Sequence, residues 1–268
     1  MKKKTRKKRN KRKKDRRIRI SIWWTAAILL ILIAMISYPH IADRHANEKG
    51  ARIPVGAFAY GIDISHYQTD IQWDSLMVMT DRSGRTTRSK TVALDIKPVS
   101  FVFIKASEGV HMKDKDFEEY WKCARKSGIR RGAYHFFRSS KDPVLQAENF
   151  MDIVGNLEEN DLPPVLDIET VHRGCTKEEL NRRALIFIKK IEENYGRKPI
   201  IYSSASFIGS YLSREITENY PIWVAHYGTD EPRCDNWHIW QCNDRAVIYG
   251  ISGHTDINIC RHDTLDML

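Results

Sequence analysis

From about residue 58 onward, short apolar runs alternate with charged stretches of helical spacing. Eight runs read as strands: Phe58–Ile64, 101–106, 132–137, 164–168, 200–203, 222–226, 237–241 and 255–259. Each is four to seven residues long, short for a helix but ordinary for a buried strand. Between them, Phe117, Tyr120, Trp121 and Ala124 recur at helical spacing, and Gly128 supplies a C-cap. Asp142 as N-cap and Pro143 at the first position open a helix to Val154. Thr176 and Glu179 form a capping-box pattern that opens a second helix to about Tyr195. A short helix is expected over 206–212. Residues 82–88, with Gly84, two Thr and three Arg, read as a hairpin tip or exposed loop.

Strands separated by helices imply parallel neighbours. Eight strands in about 210 residues suit a closed barrel better than an open sheet. The last connections are too short for a helix each. The expected fold is therefore α/β: a modified, incomplete TIM-like β/α barrel over 58–268, with one N-terminal transmembrane helix before it. No internal repeat is present, and the only low-complexity segment is the basic tail.

That tail changes the meaning of the net charge. Residues 2–19 hold 14 of the 44 Lys and Arg against one acid, Asp15. The whole chain is at +10, so the remainder is at −3. A nucleic-acid partner is not expected from a body of that sign. The tail instead flanks an uncharged apolar run at 20–38, whose 19 residues come close to the length that spans a bilayer. Trp23, Trp24 and Tyr38 lie near its ends, and Pro39 stops it. A cleaved signal peptide is the rival reading, but no small-x-small site follows the run. The expected organisation is a cytoplasmic tail (1–19), a single-pass signal anchor (20–38), a linker (39–57), and a catalytic domain outside the cytoplasm, in the periplasm or at the cell surface.

Five cysteines, Cys123, Cys175, Cys234, Cys242 and Cys260, lie in what would be an oxidising compartment. The last three are close enough in sequence to pair, and the odd number leaves at least one thiol over. A chain of this size does not need disulfides, so buried or incidental thiols are the default.

Candidate chemistry sits at the strand ends. The apolar run Leu162–Ile168 leads into Asp167-x-Glu169. Side chains two apart on a strand share a face, and the C-terminal strand ends are where such a barrel builds its site. Adjacent carboxylates repel, so one can keep its proton near neutrality and serve as a general acid. Taken alone, Asp-x-Glu is a common strand ending. Two more acids at other strand ends alter that: Asp63 after the first strand and Asp256 on the last, which become neighbours if the barrel closes. Tyr134, His135, Tyr202, Trp223, Tyr227, Trp240 and Gln241 lie in or just after strands. They offer either a mixed sugar-binding rim or core packing. Lys105, Ser107 and Glu108 follow the second strand, as an ion pair or as substrate contacts.

The ordered segments YGIDISHYQ, FVFIKASEG, RRGAYHFFR, LPPVLDIE, IIYSS, PIWVAHY, HIWQC and HTDIN resemble the glycoside hydrolase family 25 lysozymes (the Chalaropsis-type N-acetylmuramidases). The resemblance runs from about Tyr60 to Asn258. It implies cleavage of the β-1,4 bond between N-acetylmuramic acid and N-acetylglucosamine in peptidoglycan glycan strands, without metal or cofactor. It also implies Glu169 as proton donor, Asp167 as the group that orients or polarises its surroundings, and Asp63 with Asp256 as a supporting acidic pair. Tyr134 matches a tyrosine facing the cleft. Tyr202, Trp223, Tyr227, Gln241 and Glu108 are the further substrate-binding candidates. Three departures stand out: the 81–98 loop is longer than in the shortest members, the anchor is not part of the family pattern, and His66 has no assigned role.

A nucleophilic carboxylate, an inverting base and the substrate's own acetamido group remain open as the partner of the acid. Two other classes compete. One is a metal-dependent polysaccharide deacetylase using His66, His135, His226 and His254, although no HxxxH or HExxH pair occurs. The other is a non-catalytic wall-binding module, against which all four acids stand. Oligomeric state is not legible.

Overall fold

The computed structural model describes residues 50–268. The basic tail, the apolar run 20–38 and the first part of the linker lie outside the described residues. Among the described residues, no helix is long and apolar enough to cross a membrane.

Ten strands form the sheet: β1 (Phe58–Ile64), β2 (Met77–Thr80), β3 (Asp95–Glu108), β4 (Met112–Lys113), β5 (Arg130–Phe136), β6 (Val165–Asp167), β7 (Ile200–Ser204), β8 (Ile222–Ala225), β9 (Trp237–Ala246) and β10 (Thr255–Arg261). Eight of them close a barrel in the order β1-β3-β5-β6-β7-β8-β9-β10. Neighbours from β1 through β9 are parallel. β10 is antiparallel to both β9 and β1. β2 and β4 are short antiparallel additions to β3.

The helices are α1 (Phe117–Lys126), α2 (Pro143–Val154), α3 (Lys177–Tyr195), α4 (Ala205–Tyr211), α5 (Arg214–Thr217) and α6 (His262–Met267). No α-helix connects β8 to β9 or β9 to β10, where the sequence spacing was too short for one, and the long β1-to-β3 connection carries β2 and a single 3-10 turn (Trp73–Ser75) in place of an α-helix.

Local chemistry sets the helix starts. The Asp142 carboxylate accepts from Val144 N at 2.8 Å and Leu145 N at 3.0 Å, with Pro143 filling the first position where no N–H is needed. Thr176 Oγ1 accepts from Glu179 N at 3.2 Å, so half of the expected capping box forms. The other half does not, because the Glu179 carboxylate turns to Arg182 and Arg183. Gly196 ends α3 at φ +64, a conformation that a side chain would resist.

Strand alternation divides the apolar residues into two cores. One face of each strand points outward and packs under the helices, with Ile62, Val102, Ile104, Leu166, Ile201, Val224 and Ile257 meeting Phe150, Ile188 and Phe187. Truncating a fully buried Phe187 to Ala would cost about 3–5 kcal/mol by lost transfer energy and cavity formation. The other face fills the inside of the barrel with Ala59, Phe101, Phe103, Val165, Ile200, Trp223, Ile239 and Cys260. Phe103 stacks on Trp223 with centroids 4.5 Å apart. These rings need space opposite, and glycine provides it. A Cβ on Gly61 would lie 2.2 Å from the Phe101 ring, and one on Gly132 would lie 2.4 Å from the Phe103 ring.

The 82–88 loop and the entering chain hold each other. Gly50 N donates to Thr86 O at 2.9 Å and Ile53 N to Gly84 O at 3.0 Å, so folded structure starts ahead of β1. Beyond that loop, 95–98 pairs with β2 as an extension of β3.

All five thiols are free, including the three close in sequence. Cys242 faces outward and Cys260 inward, each engaging a backbone carbonyl (of Ile257 and His238 respectively).

Candidate active site

The inward face of the strands is apolar at the bottom of the barrel and polar at the top. On β1 the inward sequence Ala59, Gly61 ends in Asp63. On β6, Val165 is followed by Asp167, with Glu169 two residues beyond. On β7, Ile200 is followed by Tyr202; on β9, Ile239 is followed by Gln241; on β10, Cys260 shares its face with Asn258 and Asp256. The polar ends surround a cavity of about 260 Å³ at the C-terminal mouth of the parallel strands. Asp63, Asp167, Glu169 and Asp256 all line it, together with Tyr134, Tyr202, Trp223, Tyr227 and Gln241. Asp63 and Asp256 are directly paired residues in the antiparallel register that closes the barrel.

A hydrogen-bond web holds Asp63. Its Oδ2 accepts from Gln241 Nε2 at 2.9 Å and from Asn258 Nδ2 at 2.8 Å. The Gln241 carbonyl in turn accepts from Tyr202 OH at 2.8 Å and from Tyr227 OH. The Asn258 carbonyl accepts from Trp223 Nε1 at 2.8 Å. Each buried polar group is thus paired, which is what makes such a web stable inside a barrel.

The acids differ in protonation. Burial pushes Asp63 up to about 6, while its two amide donors oppose the rise and Glu169 adds to it. Burial with Asp63 and Asp244 nearby pushes Asp256 up to about 9. Asp167 is raised well above the usual carboxylate range by burial and by Glu169 beside it. Its Oδ1 is buried without a partner in the protein, as expected of a carboxyl that keeps its proton. Near pH 7, Asp63 therefore carries charge while Asp167 and Asp256 hold protons. Glu169 is exposed, next to the protonated Asp167. Tyr134 stays a phenol, because burial, with Asp63 and the other cleft acids nearby, raises it far above its usual range.

Other candidates fall elsewhere. Glu108 is outside the cavity lining, paired with Lys105 Nζ at 2.7 Å and with the Arg138 guanidinium, which together lower it. His135 points outward, bonded to Ser107 Oγ at 2.8 Å and stacked on Phe187. Trp240 also points outward, donating to His226 O at 2.8 Å. Tyr67 and Gln68 line the cavity without having been singled out, since they sit in a loop after β1 where no periodicity marks them. Lys105 lines it as well.

The four histidines considered as metal ligands are dispersed. His66 Nδ1 is 2.6 Å from Asp114 Oδ2, His135 is under the helices, and His226 Nδ1 accepts from Arg233 N at 3.0 Å. Among the described residues, no group of three or more His, Cys, Asp or Glu is placed to hold a metal ion.

Known proteins resemble this chain in sequence and in fold. The sequence model described as Glycosyl hydrolases family 25 matches residues 62–251. An uncharacterized protein, YegX, of Escherichia coli strain K12 is 37% identical over 219 residues, which is 81% of this chain and 74% of that one. Lysozyme M1 of Streptomyces globisporus is 30% identical over 214 residues, covering 74% of this chain and 66% of its own. The crystal structure of a bacterial lysozyme from Streptomyces coelicolor superposes with a TM-score of 0.63 at 29% identity, covering 75% of this chain and 90% of that one.

Proposed function

Since the chain belongs to glycosyl hydrolases family 25, we propose that it is a peptidoglycan muramidase in which Glu169 gives the proton that breaks the glycosidic bond. The enzyme is a glycosidase of the lysozyme type. The bond cut is the β-1,4 link between N-acetylmuramic acid and N-acetylglucosamine. The observation that carries the residue roles is the convergence of Asp63, Asp167, Glu169 and Asp256 on one cleft.

Glu169 is the acid within reach of a polymer, because it is exposed while Asp167 is buried behind it. The proton that Asp167 holds is relayed through the hydrogen-bonded Glu169 carboxyl to the linking oxygen, the carbon–oxygen bond breaks, and positive charge grows on the sugar ring. Ionised Asp63 faces that charge with its second oxygen, while Gln241 and Asn258 hold the first. Asp256 keeps its proton beside Asp63 and so lets a single negative charge stand there. Water supplies the hydroxyl for the new reducing end, and its other proton returns to the Glu169 carboxylate, which restores the acid. Tyr134, Tyr202 and Tyr227 give ring faces and hydroxyls to the sugar.

The test is digestion of purified peptidoglycan by the full-length protein in detergent, with the new reducing ends identified. Muramic acid there supports the reading, and glucosamine points to another bond. Glu169→Gln should bind the polymer and not cut it; a variant that still cuts at the wild-type rate removes Glu169 from the mechanism. Loss of activity in a strong chelator would favour the deacetylase-like alternative.

We propose further that residues 20–38 tether the enzyme to a membrane, with 1–19 cytoplasmic and the barrel facing the wall. The apolar length and the preceding cations support this. Release of the protein from membranes by alkaline carbonate would contradict it.

A further inference from the structure

A second cavity, of about 480 Å³, opens beside the catalytic cleft and shares Glu169, Tyr202 and Tyr227 with it. Its own polar wall is made by Ser204, Ser206 and Arg233. The two spaces differ in charge. The cleft is lined by four acidic side chains, of which Asp63 carries charge near pH 7 while Asp167 and Asp256 hold protons, and by one cation, Lys105, which Glu108 already neutralises at 2.7 Å. Among the described residues, no carboxylate pairs with the Arg233 guanidinium, which is exposed into the second cavity. The loop that carries it is pinned. Arg233 N donates to His226 Nδ1 at 3.0 Å, and Trp240 Nε1 donates to His226 O at 2.8 Å.

We propose that this second cavity takes the acidic peptide attached to muramic acid, with Arg233 on one of the peptide's carboxylates. The inference rests on the muramidase reading and adds a specificity-determining residue to it. In the intact polymer the lactyl carboxyl of muramic acid is tied up as the amide that carries the peptide, so the negative charge of the substrate lies on its peptides. The charge of Asp63 gives the cleft a negative sign that disfavours such a peptide, and the unpaired cation across Glu169 attracts it. A guanidinium suits this task because its planar fork can take a carboxylate through two parallel hydrogen bonds. Ser204 Oγ and Ser206 Oγ, 3.1 Å apart, offer hydroxyls to peptide amides on the same wall. The enzyme would then read its substrate at two points, the sugar linkage in the cleft and the peptide outside it.

The experiment uses the full-length protein in detergent and two substrates: soluble glycan strands that keep their peptides, and the same strands with the peptide carboxylates converted to amides. Arg233→Glu should lower kcat/KM on the strands with free peptide carboxylates by about tenfold, mostly through KM, and leave the amidated strands unaffected. Arg233→Lys should retain part of the preference, and added salt should shrink it in the wild type. Equal losses on both substrates, or no loss on the one with free peptide carboxylates, would overturn the proposal. A wild type that cuts neither substrate would instead remove the muramidase reading, and this inference with it.

Discussion

Gln241 donates its side-chain N–H to Asp63 Oδ2 at 2.9 Å, although 178 residues separate the two along the chain. The same side chain receives Tyr202 and Tyr227 on its carbonyl. One buried amide therefore fixes both the cleft anion and two of its aromatic walls. Replacing it with Leu leaves a carboxylate short of a donor and two phenols without their shared acceptor. Gln241→Leu should lose about 1–3 kcal/mol of stability. Because a donor that lowers Asp63 is gone, the acid limb of the activity profile should move upward. Thermal denaturation and a pH profile check both, and an unmoved acid limb would show that Gln241 does not tune Asp63.

The wild-type profile carries its own prediction. Asp63 is raised to about 6, so it is ionised above that pH and neutral below it. Activity that depends on its charge should fall as pH drops through about 6. Hydrolysis rates of soluble glycan measured from pH 4 to 8 locate that limb. Full activity at pH 4.5 would mean that the charge on Asp63 is not needed.

Stability should run in the same direction as protonation of the cleft. Asp256 titrates at about 9 when folded and near 3.9 in an unfolded chain. Between those values the native state holds a proton that the unfolded state has lost, so stability declines as pH rises through the window. Asp256→Asn removes the term, and its melting temperature should gain on the wild type as pH goes from 5 to 9. Each kcal/mol corresponds to about 2–4 °C for a domain of this size. Parallel melting curves at every pH would discard this account.

Gly132 lies under the Phe103 ring, with no room for a Cβ. Gly132→Ala should force the ring off its position against Trp223 and cost about 1–3 kcal/mol. Denaturant titration would measure it. A neutral effect would mean that the barrel interior is looser than its packing implies.

Much of this was legible in the sequence because period-2 alternation and turn residues are local signals. The starts of α2 and α3 follow directly from Asp142-Pro143 and Thr176. The meeting of Asp63 with Asp256 followed from barrel closure. What was missed depended on partners. β2, β4 and α5 are too short to show a period, and they exist because β3 and the helix layer hold them. His135 and Trp240 were grouped with Tyr134 and Gln241, yet adjacent strand residues face opposite ways, so one of each pair points out of the barrel. The register shift between Lys105 and Ser107 precedes Glu108, whose two cationic partners keep it outside the cavity lining. Tyr67 lies in a loop, where no rule of spacing applies.

The antiparallel insertion of β10 between β9 and β1 has a bearing on timing. Synthesis runs from the N-terminus, so Asp63 emerges before Asn258, 195 residues further along the chain, and before Asp256, its paired residue in the sheet. A nascent or C-terminally truncated chain has no closed mouth and no stabilised anion, and should be unable to damage a wall while still in production. The final strand works as a built-in arming step, and it needs no inhibitor or cleavage to do so.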